Sequence, residues 1–415
     1  MLKHVPIPPR HLGDYAAVVG AEVIEGLRRR AEPFRGARLL HINSTAFGGG
    51  VAELLYTQVP LYRDLGIDAE WRVIDGDEEF FTVTKAIHNG LQGAEVVWTE
   101  RMEQIYREVN EDNAKIYDGK YDFVVVHDPQ PAGLLPILFE HVGHPAGRWI
   151  WRCHIDLTAP HPPVWDFLRP MLEPYDAAIF TMRDFVPADM AGPQIVLIPP
   201  SIDPLSLKNI PVDDEIVAEV ERRYGIDLAR PILVQVSRFD PWKDPLGVID
   251  AYRLVKEEIP GVQLVMVASM ATDDPEGWHY FRKTDEHRAN DPDILLLSNF
   301  QDVGALVVNA IQRSADVIIQ KSLREGFGLV VSEGLWKRKP VVGGDVGGIR
   351  LQIKDGEDGF LVGTVEECAR RTVELLKDPE RAHEMGRAGR ALVRERYLST
   401  RSISDYLDLF ASLSM

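Results

Sequence analysis

Short β-branched runs alternate with amphipathic stretches along nearly the whole chain, and this alternation restricts the fold more than any other feature. Parallel strands covered by crossover helices are the arrangement that buries both kinds of segment. In the first half the strand-like runs are Arg38–Asn43, Ala69–Ile74, Phe123–His127, Trp149–His154, Ala177–Phe180 and Ile195–Ile198. A helix is predicted from Gly50 to about Leu65, with Gly66 stopping it. In the second half the strands fall at Ile232–Ser237, Gln263–Ala268, Ile294–Leu297, Val317–Ile319, Pro340–Val342 and Phe360–Leu361. Helices are predicted near Pro245–Ile259, Val303–Arg313 and Gly328–Lys337.

The two series are separated by a polar connection that Pro199, Pro200, Pro204 and Pro211 stiffen. With 415 residues the chain also exceeds one ordinary core. The expected architecture is therefore α/β, with two Rossmann-like domains facing each other across a cleft, residues 1–205 and 206–397. The chain closes on two helical segments, Arg381–Tyr397 and Ser402–Leu413. The second carries an apolar stripe (Ile403, Tyr406, Leu407, Leu409, Phe410) that suits packing on its own domain or a return to the first.

Composition removes several function classes. The net charge of −18, from 46 basic and 64 acidic residues, argues against a broad nucleic-acid footprint or an anionic membrane surface as partner. Cys153 and Cys368 are the only cysteines, too few for a disulfide framework or a cysteine-rich metal site. No apolar run reaches membrane-spanning length, and the proline-rich, charged N-terminus lacks a signal-peptide core; a cytoplasmic location is expected.

The segment from Arg324 to Glu333 carries the strongest chemical signal. It sets Glu325 in a glycine-rich turn and Glu333 eight residues on, about two turns into a helix. Gly326 and Gly328 let the backbone bend with its N–H groups at the positive end of that helix. Amides suit phosphate and carboxylates suit sugar hydroxyls, so a nucleotide-sugar fits better than an ordinary capped helix. Ser237-Arg238-Phe239-Asp240-Pro241-Trp242-Lys243 leaves the strand that opens the second domain and puts two cations five residues apart. In open α/β sheets ligands bind at that end of the strands. A guanidinium and an ammonium there would neutralise a diphosphate as its bond to a sugar breaks. Asp244 is predicted to cap the next helix, with Pro245 in its first turn.

Gly48, Gly49 and Gly50 follow the first strand and open its helix, permitting close backbone approach to a phosphate or sugar; a flexible turn with a glycine cap explains them equally well. As a nicotinamide-dinucleotide signature the loop is poor, because Glu53 stands where glycine or alanine is needed. His154 ends another first-domain strand, where a lone histidine is more often structural. Trp149, Trp151, Arg152 and Asp156 crowd the same place, as ring stacking and directed hydrogen bonds to a sugar would require. His127-Asp128 is a similar, weaker strand end, and Gly343–Gly348 beside the Glu333 helix reads as a shaped floor or a plain turn.

On these loops the chain resembles the retaining glycosyltransferases of the glycogen-synthase and sucrose-synthase type, which have the two-domain GT-B fold. The resemblance implies that Glu325 contacts donor-sugar hydroxyls and Glu333 the ribose, and that Arg238 and Lys243 hold the donor diphosphate. It also implies donor contacts from Ser237, Gly326, Phe327, Leu329 and Val330, with Gly48–Gly50 closing over the phosphates and His154 near the reacting sugar. The family habit of a terminal helix returning to the first domain places Ser402–Leu413 there. A closer resemblance, to the trehalose glycosyltransferring synthases, rests on His41-Ile42-Asn43-Ser44-Thr45 running into the glycine loop, and on Trp151-Arg152-Cys153-His154-Ile155-Asp156. It implies nucleoside-diphosphate glucose and free glucose as substrates; no tightly bound cofactor, Mg2+ accompanying the nucleotide and a homodimer are the accompanying expectations, though no residue pattern fixes the oligomeric state. Asp75, Trp151, Arg152, His154 and Asp156 are then the acceptor contacts, and Ser298, Asn299 and Phe300 line the base pocket. Asp75-Gly76-Asp77 has the Asp-x-Asp form of a metal pair in another class of glycosyltransferase, but the surrounding architecture is wrong for that role.

Overall fold

A computed structural model of the chain describes residues 2–47, 49–143, 145–268, 270 and 275–414. It divides into two compact units, Met1–Pro200 with Ser399–Met415, and Ser201–Leu398. The first is built on seven strands: β1 (Lys3–His4), β2 (Arg38–Asn43), β3 (Asp68–Val73), β4 (Phe123–His127), β5 (Arg148–Arg152), β6 (Ala177–Phe180) and β7 (Gln194–Leu197). Their spatial order is β1-β3-β2-β4-β5-β6-β7, parallel except for β1 on the edge. The second unit has six parallel strands: β8 (Ile232–Ser237), β9 (Gln263–Ala268), β10 (Ile294–Ser298), β11 (Val317–Gln320), β12 (Val341–Gly344) and β13 (Phe360–Val362). They lie in the order β10-β9-β8-β11-β12-β13.

These strands form where the sequence is apolar on both faces. Every residue of β4, β6, β9, β11 and β12 is buried, as a sheet with helices on each side demands. Several predicted edges move by a residue or two. The run expected at Trp149–His154 ends at Arg152: the Cys153 amide still donates to the Ile179 carbonyl at 2.9 Å, but the His154 amide goes to the Asp128 side chain. Helix Gly50–Asp64 fills the predicted position, and helix Pro245–Glu258 starts on Asp244, whose carboxylate accepts from the Gly247 amide at 3.2 Å.

In both units the connection order reverses in mid-sheet. Chain growth runs outward from β2 to β3 and then returns to place β4 on the other side of β2; likewise it runs β8, β9, β10 and returns to β11. Crevices outside the carboxyl ends of strands at such reversals are the ligand sites of open α/β sheets. The loops after β2, β4, β8 and β11 are thereby singled out by topology alone.

The last helix, Ser399–Ser414, belongs to the first unit and packs on helices Ala21–Ala31 and Gly50–Asp64. Its stripe of Ile403, Tyr406, Leu407 and Phe410 is buried, with the Phe410 ring 4.4 Å from that of Phe123 on β4. Gln58 donates to Ser402 Oγ at 2.9 Å beside it. No helix among the described residues is long and apolar enough to cross a membrane.

Candidate active site

At the reversal of the second sheet the loop after β8 meets the loop after β11. Asp240 folds the first by accepting from the Trp242 and Lys243 amides, at 3.0 and 3.1 Å. The Trp242 carbonyl then takes the Leu323 amide at 2.7 Å, stitching the two loops together. The Lys243 ammonium lies 2.8 Å from Glu325 Oε2, an ion pair of low exposure between residues 82 positions apart. Ser322 Oγ also reaches that carboxylate, at 3.3 Å. Arg238 stands on the same loop with its side chain 52% exposed, held loosely by Asp240 at 3.3 Å.

Gly328 is the N-cap of helix Leu329–Trp336, at φ 82, a conformation side chains rarely adopt. The Gly343–Gly348 loop backs this turn. A Cβ on Gly348 would collide with the Gly326 carbonyl and Phe327 Cα, so close packing requires glycine there; its amide donates to the Glu325 carbonyl at 3.0 Å. Gln352 braces the turn further by donating to the Phe327 and Gly328 carbonyls. Phe327 is buried against Tyr397, so it supports the turn rather than lining its surface.

Not every expected donor contact is open. Glu333 is only 2% exposed, with Gln312 Nε2 at 3.3 Å and Lys208 Nζ at 3.7 Å from its carboxylate. The Asn299 amide is spent on the backbone of Met270, accepting from its N–H at 2.7 Å and donating to its carbonyl at 3.0 Å. Phe300, beside it, is exposed. Ser237 is half-buried at the end of β8, and Val330 lies in the first turn of the Gly328-capped helix.

The first unit gathers a second cluster at the ends of β2, β4 and β5. Gly49, at φ 106, caps helix Gly50–Asp64, which Gly50 opens; Gly48 lies outside the described residues. Trp151 corrects the sequence reading. Its ring is wholly buried in the core, with Nε1 donating to the Asp128 carbonyl at 3.0 Å, so it has no face to offer a sugar. Arg152 is 2% exposed and likewise cannot be a first contact for an acceptor. Both follow from β5 being an interior strand buried on each face, which a cluster of aromatic and basic residues does not reveal. Asp156 is nearly buried and accepts from the amide and hydroxyl of Thr158. Asp75 pairs with Lys3 at 2.6 Å, which holds its carboxyl below the usual range, and Asp77 caps helix Glu78–Leu91.

His154 is half-buried, its amide donating to Asp128 Oδ1 at 2.8 Å. It is not alone. His127 Nδ1 lies 3.0 Å from His154 Nε2, and His127 Nε2 lies 3.0 Å from His41 Nδ1. Sequence spacing gave no hint of this row; adjacency of β2, β4 and β5 creates it.

Burial keeps all three imidazoles neutral. Burial lowers His41 to about 3, and it also takes His127 and His154 well below their ordinary value, with the Arg152 guanidinium adding to burial at these two. Unfolded, each takes a proton near pH 6.5. Their contribution to stability is therefore complete above pH 6.5 and is lost as the pH falls, by up to ~1.4 kcal/mol per pH unit for each ring. Asp128 acts oppositely. Burial pushes its carboxyl up to about 7, so the folded form takes that proton first and offsets roughly one ring below pH 7. The net expectation is a loss approaching ~3 kcal/mol per pH unit between pH 6 and 5. Urea unfolding across that range checks it, and His41→Gln should flatten the slope by about one proton; an unchanged slope would remove the assignment.

Each half of the chain matches a known family. Residues 41–187 match the family described as trehalose synthase, N-terminal domain, and residues 217–392 match glycosyl transferases group 1. A trehalose synthase of Rubrobacter xylanophilus is 51% identical over 416 residues, covering 100% of this chain and 99% of that one. A trehalose phosphorylase of Grifola frondosa is 26% identical over 89% of this chain and 56% of its own length. Among solved structures, a UDP-forming α,α-trehalose-phosphate synthase from Burkholderia xenovorans, in complex with glucose-6-phosphate, superposes with a TM-score of 0.72. It has 15% identity and covers 92% of this chain and 100% of its own, a likeness of fold. With half of its residues shared end to end with a trehalose synthase, and two parallel-sheet units of the GT-B type, the chain belongs to the trehalose synthase family of GT-B glycosyltransferases.

Proposed function

We propose that the protein transfers an α-glucosyl group from a nucleoside-diphosphate glucose to the anomeric hydroxyl of free glucose, with retention, giving α,α-trehalose and a nucleoside diphosphate. The observation that carries this reading is the Lys243–Glu325 pair beside the Gly328-capped helix at the reversal of the second sheet. A cation, a hydroxyl-accepting carboxylate and the amides at a helix N-terminus in one place suit a sugar diphosphate group by group.

In this mechanism Arg238 and Lys243 take the negative charge that grows on the diphosphate as the bond between C1 and the phosphate oxygen breaks. The acceptor hydroxyl approaches on the face the diphosphate leaves and forms the new C1–O bond. Its proton passes to the departing phosphate oxygen, so no protein nucleophile is required. Glu325 orients the donor hexose through its hydroxyls, and amides of Gly328 and Leu329 assist the phosphates. Glu333 meets the ribose at the expense of its present contact with Lys208. Loops of the first unit, with His154, select the acceptor. The reaction needs no tightly bound cofactor: nucleoside-diphosphate glucose is the co-substrate of glucose, with Mg2+ accompanying the nucleotide in solution.

The likeness to a trehalose phosphorylase supports a second reading, cleavage of trehalose by inorganic phosphate. Incubation with nucleoside-diphosphate glucose, with and without glucose, followed by NMR of the products, separates the two. Glucose-dependent release of nucleoside diphosphate, with both anomeric centres α, is the expected result. Formation of glucose 1-phosphate from trehalose and phosphate without any transfer from the nucleotide-sugar would sink the first reading, as would conversion of maltose alone.

A further inference from the structure

The row of three histidines does something no single one of them does. Each contact in it joins two ring nitrogens 3.0 Å apart, and each therefore needs one N–H and one lone pair. A neutral imidazole has one of each. The row consequently has only two proton patterns: every N–H points toward His154, or every N–H points back toward His41.

The inner end decides between them. His41 Nε2 is fully buried and has no hydrogen-bond partner. Pointing the row inward would put an N–H there with nothing to accept it, the rarer and costlier defect; pointing it outward leaves only a bare lone pair. Tyr62 stacks on His41 at 5.9 Å and Tyr406 meets it edge-on at 6.4 Å, and the buried Tyr62 hydroxyl is not hydrogen-bonded to that nitrogen either.

We propose that His41 and His127 form a tautomer relay that fixes His154 with its proton on Nδ1, making that nitrogen an obligate hydrogen-bond donor. His41 Nδ1–H donates to His127 Nε2, His127 Nδ1–H donates to His154 Nε2, and the outermost nitrogen is left holding a proton. None of the described residues accepts from it. His154 then donates to an oxygen of a bound sugar and does not act as a base. Resting on the proposed transfer reaction, this agrees with the leaving phosphate, rather than a histidine, receiving the acceptor's proton. His41 and His127 are positioning residues; neither need touch substrate.

Long-range 15N–1H correlation on histidine-labelled protein without substrate reads each tautomer directly. His154 is expected to show a protonated Nδ1 and a bare Nε2 near pH 7.5. In His41→Phe, which removes the inner donor, His154 should become a mixture of tautomers and turnover should fall about tenfold, the worth of one hydrogen bond. His41→Asn, which restores an N–H near the place of Nδ1, should recover both. A protonated Nε2 on His154 in the unaltered protein overturns the proposal, even if the Phe variant does not fold. A folded His41→Phe protein with an unchanged His154 tautomer overturns it too. Because the tautomers are read without substrate, a protein with the expected pattern that fails to make trehalose would count against the transfer reading only.

Discussion

Lys243→Ala should lower turnover at least ~10²-fold, the range for losing one electrostatic stabiliser of a transition state. The side chain carries the charge nearest to Glu325, and its ammonium is fixed at 2.8 Å from that carboxylate before any ligand arrives. A fixed charge costs nothing to organise during the reaction, which is why its removal costs rate rather than binding alone. The change also strands Glu325 in a site of low exposure, where Ser322 Oγ at 3.3 Å and Gln320 Nε2 at 3.5 Å are the side-chain partners left to it among the described residues. Leaving such a group underpaired costs ~1–3 kcal/mol of stability. Lys243→Ala combined with Glu325→Gln should recover that stability and none of the turnover. Steady-state rates at saturating donor, together with thermal unfolding of both variants, distinguish the two losses. A folded Lys243→Ala protein with near-normal turnover would show that the charge is not used.

Trp151→Ala should cost ~3–5 kcal/mol of stability, as expected for emptying the site of a buried aromatic side chain. The ring projects into the core from β5, the strand between β4 and β6, 5.8 Å from the ring of Phe180, and its Nε1–H satisfies the Asp128 carbonyl. Removal opens a cavity and orphans that carbonyl just after His127, at the end of β4. Trp151→Phe, which keeps most of the apolar volume, should remain folded and bind acceptor with an unaltered KM. Were the indole instead a stacking platform for sugar, the Phe variant would raise the acceptor KM and the Ala variant would leave stability nearly intact. Denaturant unfolding and acceptor titrations decide between these outcomes.

Strands were the most legible part of the fold. Arg38–Asn43, Phe123–His127, Ala177–Phe180, Ile232–Ser237 and Gln263–Ala268 occupy the positions their sequence predicts, because parallel strands buried on both faces read as unbroken apolar runs. Strand β1 escaped notice because two residues among prolines carry no periodicity. The loops bearing Arg238, Lys243 and Glu325 were legible through their glycines, proline and capping aspartate, which announce a turn followed by a helix. Burial at strand ends was not legible. Trp151, Arg152 and Asp156 look like a polar, aromatic binding surface in one dimension, whereas their exposure depends on which neighbours the sheet order supplies.

By itself, the sequence determined two series of β and α segments, the places where strands stop, and which of the following loops carry charge or glycine. Those are local properties, set by side-chain periodicity and backbone preference within a few residues. Only the tertiary structure decided that β8 lies against β11, and that β2, β4 and β5 are neighbours. Strand order is fixed by how whole helix and sheet faces pack, a sum over distant contacts that no short segment contains. Through that order Lys243 meets Glu325 and three histidines separated by tens of residues share their protons.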